Sequence, residues 1–153
     1  MSGGSGGRPP QLARTRRVSS QAVWEPIVGY SRAVAAGDYV FVTGCTSIDG
    51  AEVVHEGDAS AQTSQAIANV AAALAQLGCG LADVVRTRMF VTDISRWEEY
   101  GRAHGAAFGE IMPATSMIGV SALIDPRMLV EVEAIAYRPG IGSASDGPAV
   151  AAP

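Results

Sequence analysis

The stretch of sequence that decides the fold is VVRTRMFVT, residues 84–92. β-Branched residues dominate this stretch, which is typical of a strand. On either side lie two segments, residues 58–77 and 95–108, whose apolar residues recur at intervals of three and four, as they do along one side of an α-helix. The centre of the chain is therefore predicted to run helix, strand, helix.

Both predicted helices carry recognisable end signals. The first is followed by Gly78, which is typical of a left-handed helix cap. The second is predicted to begin at Ser95 and to end at Gly109, because Ser95 and Glu98 have the spacing of a capping box. The apolar stripe of the first helix consists of Ile67, Val70, Ala71, Leu74 and Leu77.

Before the first helix the sequence predicts short strands. Residues 31–34 and 39–43 have the pattern of a hairpin, and Gly44 is predicted to end its second strand. Residues 52–54 form a weaker predicted strand after a further turn. The N-terminal part of the domain is therefore expected to supply half of a sheet.

Two more strands are predicted after the second helix, at residues 116–120 and 129–136. The order hairpin, helix, strand, helix, hairpin predicts an α+β domain, in which a mixed sheet of about six strands carries both helices on one face. The other face would be uncovered in a monomer. Other subunits are the simplest cover for it.

The 153 residues are enough for one domain. Glycine, proline and arginine are frequent in residues 1–17, and residues 139–153 are poor in bulky apolar side chains. We therefore expect a disordered arm, a folded domain at residues 18–138 and a disordered tail. No apolar segment is long enough to cross a membrane, and the N-terminus lacks the apolar core of a secretory signal, so a cytoplasmic protein is expected.

Composition excludes several kinds of chemistry. The chain contains no lysine, which rules out catalysis through a lysine Schiff base. Its formal net charge is −4, and it has no basic stripe with interleaved aromatic residues, so no nucleic-acid binding is expected. Cys45 and Cys79, together with His55 and His104, lack the spacing of a zinc site. We therefore expect no bound metal.

Six short motifs of the chain resemble, in order and with compatible gaps, those of the RidA/YjgF family. None of them is specific alone, but together they extend over about residues 30–137. The matching segments are residues 29–34 (GYSRAV), 42–44 (VTG), 65–74 (QAIANVAAAL), 83–93 (DVVRTRMFVTD), 113–116 (PATS) and 130–136 (VEVEAIA).

The resemblance implies a chorismate-mutase-like fold and a homotrimer with a ligand cleft between each pair of subunits. Typical members hydrolyse reactive enamines or imines, which pyridoxal-phosphate enzymes form, to 2-keto acids and ammonia. They need no cofactor. An arginine in the fifth motif holds the substrate carboxylate, and the first glutamate of the last strand positions the attacking water. The expected partner of this chain is therefore a small molecule in an inter-subunit cleft.

Carried over residue by residue, the resemblance makes Glu131 the catalytic residue and places Tyr30, Thr43 and Gly44 in the cleft. The arginine position is occupied by Thr115. A threonine hydroxyl cannot replace the two parallel charged hydrogen bonds that a guanidinium makes to a carboxylate. Loss of such a pair costs on the order of 2–5 kcal/mol of binding. Weak or absent activity on simple 2-imino acids is therefore expected.

Three further positions depart from the family pattern near the expected cleft. Met117 stands where relatives have a cysteine or another small residue, Gly101 stands at an asparagine position, and His104 lies near a tyrosine position. Met117 and His104 are therefore candidate substrate contacts. His104 also continues the apolar stripe of its helix, so packing against the sheet is the simpler interpretation of this side chain.

The missing cation could come from another strand. Arg86 and Arg88 project from one face of the central strand, and Arg32 is a third candidate. Arg88 is the first choice as a substrate-binding residue, because it replaces a small polar residue of the family strand. The alternative is that these arginines form ion pairs with Glu131, Glu133 or Asp93.

The sequence thus favours a deaminase-like hydrolase that adds water to the C=N carbon of an imine, an enamine or a related carbonyl compound. The substrate is expected to differ in shape from a simple 2-imino acid. Two alternatives stay open, a non-catalytic trimer that binds a small molecule and a tailoring enzyme of a biosynthetic pathway. In the non-catalytic case Tyr30 and Glu131 would be residues of the subunit interface.

Overall fold

The computed structural model describes residues 15–143 as eight strands and three α-helices that are joined by loops and short 3-10 turns. The helices are α1 (Trp24–Val28), α2 (Ala59–Gln76) and α3 (Trp97–Phe108). The strands are β1 (Arg16–Val18), β2 (Ala33–Ala36), β3 (Tyr39–Cys45), β4 (Ile48–Asp49), β5 (Glu52–Val53), β6 (Val84–Val91), β7 (Ala114–Gly119) and β8 (Val130–Tyr137).

Six strands form one mixed sheet in the order β1-β2-β3-β8-β6-β7, and β4 and β5 form a separate hairpin. Neighbouring strands of the large sheet are antiparallel except for β6 and β7, which run parallel. The predicted α+β domain with a mixed six-stranded sheet is confirmed, but its sixth strand is β1, whereas the predicted strand at residues 52–54 pairs as β5 with β4 alone. The hairpin predicted for the last two strands is wrong, because β6, which contains the stretch quoted first, lies between β8 and the edge strand β7.

The core lies between the sheet and the helices α2 and α3, which pack on the same face. Thr87, Met89 and Val91 of β6 alternate toward this face and are fully buried, as the period of two along a strand requires. Leu74 of α2 and Phe108 of α3 are buried against them. The apolar stripe that the sequence predicted for α2 therefore forms part of the helix side of the core.

The opposite face of the sheet, which we call the open face, is not covered by residues 15–143. Tyr39, Phe41 and Tyr137 are each more than two-fifths exposed there. The ring centroids of Tyr39 and Tyr137 are 5.3 Å apart, and those of Tyr39 and Phe41 are 6.3 Å apart. A contiguous patch of this kind is typical of an interaction surface.

The C-terminal cap of α2 is the one predicted from the sequence, whereas the start of α3 differs from the prediction. Gly78 has a φ of 79°, which is the predicted left-handed cap. The capping box predicted at Ser95 is wrong, because the Asp93 carboxylate accepts from the Ser95 N–H at 3.0 Å and begins a 3-10 turn instead. Glu98 pairs with Arg102 one turn further on, at 2.8 Å. A charged acceptor two residues earlier thus outcompetes the serine for the free N–H groups.

Ordered structure extends beyond the predicted limits of the domain at both ends. Arg16 and Arg17, which composition assigned to the arm, belong to β1 and pair with β2. Ile141, which was assigned to the tail, is only 7% exposed and belongs to the core. The Gly142 N–H donates to the Gly37 carbonyl at 2.7 Å. Residues 1–14 and 144–153 of the predicted arm and tail lie outside the described residues.

Two features near the N-terminal hairpin position the candidate site, and the sequence did not predict either. Gly44 does not end β3, which continues to Cys45 through a register shift against β8, that is, a β-bulge. Helix α1 was not predicted at all, although Pro26 in its first turn is a common start signal. Within residues 15–143, no helix is both long and apolar enough to cross a bilayer.

Candidate functional site

A pocket of about 480 Å³ lies between α1, the bulge of β3 and α2. Its polar end is formed by Tyr30, Arg32, Thr43, Gly44 and Glu131. The structure therefore brings four of the sequence-predicted site residues to one cavity, which we call the Glu131 pocket. Its apolar walls include Trp24, Val28, Ile48, Ile124 and Met128.

The bulge places Gly44 directly against Glu131. A Cβ atom at position 44 would overlap the Glu131 carboxylate, so only glycine leaves room for the carboxylate where it lies. The neighbouring Thr43 hydroxyl donates to the Ser31 carbonyl at 2.9 Å and holds the bulge against the start of β2. The glycine of the family motif is thus required here by space.

The rim of the pocket is held by the polar side of α2. Asn69 Nδ2 donates to the carbonyls of Thr46 and Ile48, at 3.0 and 2.8 Å. Gln65 Nε2 in turn donates to Asn69 Oδ1 at 3.2 Å. The two polar residues of the family helix motif therefore fix the loop after β3.

Arg32 lies in the pocket wall, but its donors are engaged. Nη1 donates to the Gly44 carbonyl at 2.7 Å, Nε to the Ser20 hydroxyl at 3.2 Å, and Nη2 to the Tyr30 hydroxyl at 3.4 Å. The Arg32 side chain is 13% exposed, and the Glu25 carboxylate lies 4.0 Å from Nε. Arg32 therefore stabilises the bulge from behind, with Glu25 as its counter-charge.

Glu25 is a buried residue of the site that the sequence analysis missed. It accepts from the hydroxyls of Ser19 and Ser20 and, at 2.9 Å, from the Ser20 N–H. Burial raises its pKa, but these hydrogen bonds and Arg32 outweigh burial and lower the pKa overall. The signal for this residue is a carboxylate next to Pro26 in the first turn of a helix.

Glu131 differs from Glu25 because its charge is unmatched. Among residues 15–143 no group donates a hydrogen bond to its carboxylate or forms an ion pair with it. Burial raises the pKa of Glu131, the neighbouring Glu133 raises it further, and Arg32 lowers it, with a net increase. A half-buried carboxylate with a raised pKa is a suitable proton acceptor.

Cys45 and the histidines do not add a nucleophile or a metal site to this pocket. The Cys45 thiol is buried behind the bulge, where burial raises its pKa, and it contacts the Thr43 carbonyl at 3.4 Å. A protonated, buried thiol is a poor nucleophile. In the described part of the chain, no three His, Cys, Asp or Glu side chains are grouped as a metal ion would require.

A second set of polar residues, which we call the Thr87 group, lies near the β7 edge of the sheet. Thr87 Oγ1 is 2.8 Å from His104 Nε2 and also 2.8 Å from Thr115 Oγ1. Thr115 Oγ1 donates to the Pro113 carbonyl at 3.1 Å. Thr87 therefore donates to Thr115 and accepts from His104, which places the His104 proton on Nε2.

His104 and Met117, both candidate substrate contacts, also pack against neighbouring side chains. Burial lowers the pKa of His104, so its ring is neutral at pH 7, and the ring lies 4.7 Å from that of Phe108. Met117 is partly buried against the core. A Cβ atom at Gly101 of α3 would lie 3.9 Å from the Trp97 ring, an ordinary contact distance, so space does not require glycine there. The Thr87 group thus joins α3 to the β7 edge.

Glu131 and Thr115 lie on opposite faces of the sheet. Glu131 pairs with Phe90 across β6 and β8, whereas Thr115 pairs with Thr87 across β6 and β7. Thr87 faces the helices, and Phe90, an odd number of residues away, faces the other side. A single site that contains both Glu131 and Thr115 would therefore require two chains.

Arg88, the first-choice substitute for the missing arginine, does not line the Glu131 pocket. Its Nε lies 3.4 Å from a Glu133 carboxylate oxygen on the open face, and both side chains are more than a third exposed. With Arg86 it lines a smaller pocket of about 220 Å³. Among residues 15–143 of one chain, Arg32 is the arginine that the structure places beside Glu131.

Comparison with known proteins gives matches over most of the chain. The family model for endoribonuclease L-PSP matches residues 20–138. The uncharacterised protein SCO2049 of Streptomyces coelicolor is 41% identical over 128 residues, which cover 84% of this chain and 96% of that protein. The 3-aminoacrylate deaminase RutC of Acinetobacter baylyi is 30% identical over 113 residues, which cover 73% and 89% of the two chains.

Solved structures give the same result. Rv2704 of Mycobacterium tuberculosis, described as a member of the YjgF/YER057c/UK114 family, is 51% identical with a TM-score of 0.74, over 80% of this chain and 98% of that one. The YjgF gene product of Escherichia coli is 27% identical with a TM-score of 0.70, over the same shares. The fold and the order of the motifs therefore have solved counterparts.

Proposed function

The chain belongs to the endoribonuclease L-PSP family, which includes the YjgF proteins, and on this premise we propose that it is a cofactor-free hydrolase of imines or enamines. The observation that carries the proposal is the Glu131 carboxylate, which faces the pocket with a raised pKa and no hydrogen-bond partner among residues 15–143. The 3-aminoacrylate deaminase among its relatives acts on an enamine, according to its name. The proposed substrate differs from a simple 2-imino acid, because Thr115 stands at the family's arginine position.

The proposed reaction needs only water and one base. Glu131 accepts a proton from water while the water oxygen bonds to the C=N carbon and the electron pair of that bond moves to nitrogen. Glu131 returns this proton to the nitrogen, which gives a neutral carbinolamine. Glu131 then accepts the hydroxyl proton and passes it to the amine nitrogen, the C–N bond breaks, and ammonia leaves as the C=O bond forms. An enamine reacts in the same way through its imine tautomer. Tyr30 lies at the same end of the pocket and would orient the adduct through its hydroxyl.

We further propose that the protein is a homotrimer with a chorismate-mutase-like fold and that its clefts lie between subunits. The aromatic patch of the open face and the position of Glu131 and Thr115 on opposite sheet faces both support an assembly. Light scattering after size exclusion should give about three times the chain mass of 15.7 kDa. A monomer at micromolar concentration would contradict this proposal.

The activity is tested with imines that carry no carboxylate, generated in the cuvette from primary amines by an amine oxidase, because simple 2-imino acids are expected to be poor substrates. The protein should accelerate release of the carbonyl product and ammonia, and Glu131→Gln should remove the acceleration. Glu133→Gln is the matched control, because Glu133 lies two residues away on the same strand but outside the Glu131 pocket. Equal rates for wild type and Glu131→Gln would refute the proposed chemistry.

The description of the family model names a different substrate, RNA. A site for RNA needs cations that contact the phosphates. The Glu131 pocket contains one arginine, Arg32, whose Nη1, Nη2 and Nε donate to groups of the protein. We therefore favour the imine reaction, and an RNA-cleavage assay with the same variants provides the comparison.

Cys45 and Cys79 are both unpaired thiols, which agrees with the cytoplasm as the proposed location.

A further inference from the structure

We infer that the Glu131 pocket selects ligands that combine an amine or iminium nitrogen with an apolar substituent, and that it disfavours small carboxylates. This inference rests on the proposed function, since it names the class of imine that the site would hydrolyse. Its test nevertheless measures binding alone. The inference can therefore fail while the hydrolase proposal survives, and the reverse is also true.

The first argument is the charge that the pocket leaves free. Among residues 15–143, Arg32 and Glu131 are the charged residues in its wall. The Arg32 guanidinium donates to Gly44, Ser20 and Tyr30, as described above, and Glu25 balances its charge. Glu131 has no such partner among residues 15–143. A cationic N–H donor would supply the missing hydrogen bond, whereas a carboxylate would add a second negative charge to a half-buried one.

The second argument is the apolar part of the wall. Val28 and Ile124 line the pocket and are 69% and 65% exposed, so they offer apolar surface that a ligand could cover. Trp24 and Ile48 continue this surface toward the polar end. Covering apolar surface contributes about 25 cal/mol per Å², which favours a ligand with an apolar substituent.

The third argument is size. A cavity of about 480 Å³ falls in the range that ordinarily holds ligands larger than a three-carbon imino acid. A small imine would leave most of the apolar wall uncovered. It would also find no free guanidinium in the wall for its carboxylate. The preferred ligand therefore places its nitrogen at Glu131 and extends its substituent along α1.

Binding is read from the fluorescence of Trp24, in a Trp97→Phe background. Trp24 lines the pocket, whereas Trp97 lies on α3 outside the pocket wall, so the substitution leaves one reporter. The probes are 2-phenylethylamine and 3-phenylpropionate, which have similar shapes and opposite charges at pH 7. We expect the amine to bind at least about tenfold more tightly, which corresponds to ~1.4 kcal/mol.

The preference must depend on the carboxylate. Glu131→Gln in this background should bind the two probes within about twofold of each other, and Glu133→Gln should keep the preference for the amine. Equal or tighter binding of the carboxylate by the parent protein would overturn the inference. So would a preference that persists in Glu131→Gln.

The apolar part is tested with a series of straight-chain amines from propyl to hexyl. Affinity should rise about three- to fourfold for each added methylene, the factor expected when a CH₂ group becomes buried. Ile124→Ser should reduce this increment, and Ile27→Ser should not, because Ile27 is an exposed residue of α1 outside the pocket wall. A chain-length series with no slope, or equal slopes in both variants, would show that the apolar wall does not contact the ligand.

Discussion

The Glu131 pocket and the Thr87 group are both polar, but they differ in what their hydrogen bonds leave free. In the Thr87 group the Thr87 hydroxyl contacts both His104 and Thr115, and Thr115 also reaches the Pro113 carbonyl. In the pocket no group of residues 15–143 donates a hydrogen bond to the Glu131 carboxylate, and the nearby Arg32 donates to Gly44, Ser20 and Tyr30 instead. One set of groups is satisfied, and the other is available for a ligand.

This difference indicates which of the two sets of groups can carry out chemistry in a chain that has Thr115 at the family's arginine position. A buried polar group without a partner is costly, so a protein that keeps one has a use for it. A neutral imidazole between a buried threonine and a phenylalanine ring instead fixes α3 on the sheet. We therefore propose that the chemistry takes place at Glu131 and that the Thr87 group has a positioning role.

The largest effect is expected from Gly44→Ala. The added methyl group would overlap the Glu131 carboxylate and push it out of position. Since the displaced atoms are the end of a flexible side chain, the melting temperature should change little, whereas kcat should fall about 10²–10⁴-fold, as for loss of a general base. Steady-state kinetics and thermal melts separate the two effects.

Gly105→Ala is the control for this substitution. A Cβ atom at Gly105 meets no atom within 4 Å, and alanine in a helix is about 0.5–1 kcal/mol more stable than glycine. This variant should therefore be as active as wild type and slightly more stable. Wild-type kcat in Gly44→Ala would show that the position of the Glu131 carboxylate is not critical.

The next largest effect is a gain of activity in Thr115→Arg. An arginine at this position restores the bidentate carboxylate grip of the family and should raise kcat/KM for a 2-imino acid at least about thirtyfold, which corresponds to ~2 kcal/mol. Because Thr115 and Glu131 lie on opposite sheet faces, the gain also requires the proposed inter-subunit cleft. The measurement is the oxidase-coupled assay, in which an amino-acid oxidase supplies a small imino acid.

Thr115→Gln is the matched variant, since glutamine is long and polar but uncharged. It should show little or no gain. If both variants gained equally, or if Thr115→Arg gained nothing in a verified trimer, Thr115 would not occupy the substrate-facing position that the motif predicts. The Thr87 group would then no longer correspond to the substrate-binding motif of the family.

The sequence predicted the parts of the molecule that local periodicity determines. The stripe of α2, the left-handed cap at Gly78 and the β-branched residues of β6 each reflect interactions within one element or one layer of the core. The glycine and glutamate of two distant motifs also meet as the resemblance implied, with Gly44 against Glu131.

The sequence did not decide between contacts that depend on which strands become neighbours. The order β3-β8-β6 places Glu133 beside Arg88, so the structure shows the ion pair that was the alternative for Arg88, and not the first choice of a substrate contact. The β-bulge brings the Gly44 carbonyl within reach of Arg32, and α1 brings Glu25 to the same guanidinium. Ile141 enters the core although its segment is rich in glycine. No periodic pattern of residues in the sequence indicates any of these contacts.

A smaller effect is expected from Thr87→Val, which tests the satisfied side of the comparison. Valine has nearly the same shape as the fully buried Thr87, but it removes a partner of the half-buried His104 Nε2 and of the exposed Thr115 Oγ1. Leaving such groups unpaired costs on the order of 1–3 kcal/mol of unfolding free energy. Urea denaturation measures this loss, and kcat on the preferred substrate should change less than threefold.

The control is Thr63→Val in α2. Thr63 is equally buried, but its hydroxyl donates to Ala59, whose carbonyl belongs to the same helix. Its removal should therefore cost less than the removal of the Thr87 hydroxyl. If Thr87→Val lowered kcat as strongly as Gly44→Ala, the Thr87 group would take part in the reaction, and the division between the two regions would be wrong.

The smallest effect is a change of stability with pH in Glu131→Gln. The pKa of Glu131 is raised in the folded protein, first by burial and then by Glu133, so ionisation is less favourable there than in the unfolded chain.

Below the unfolded pKa the carboxyl is protonated in both states, and wild type and variant should melt at similar temperatures. As the pH rises through the folded pKa, wild type loses stability that the uncharged glutamine retains. At pH 7 the variant should therefore melt at a higher temperature than wild type, and thermal melts at pH 4 and pH 7 measure the difference. A difference that is the same at pH 4 and pH 7, or that favours wild type at pH 7, would mean that the folded protein or its assembly supplies a partner for Glu131.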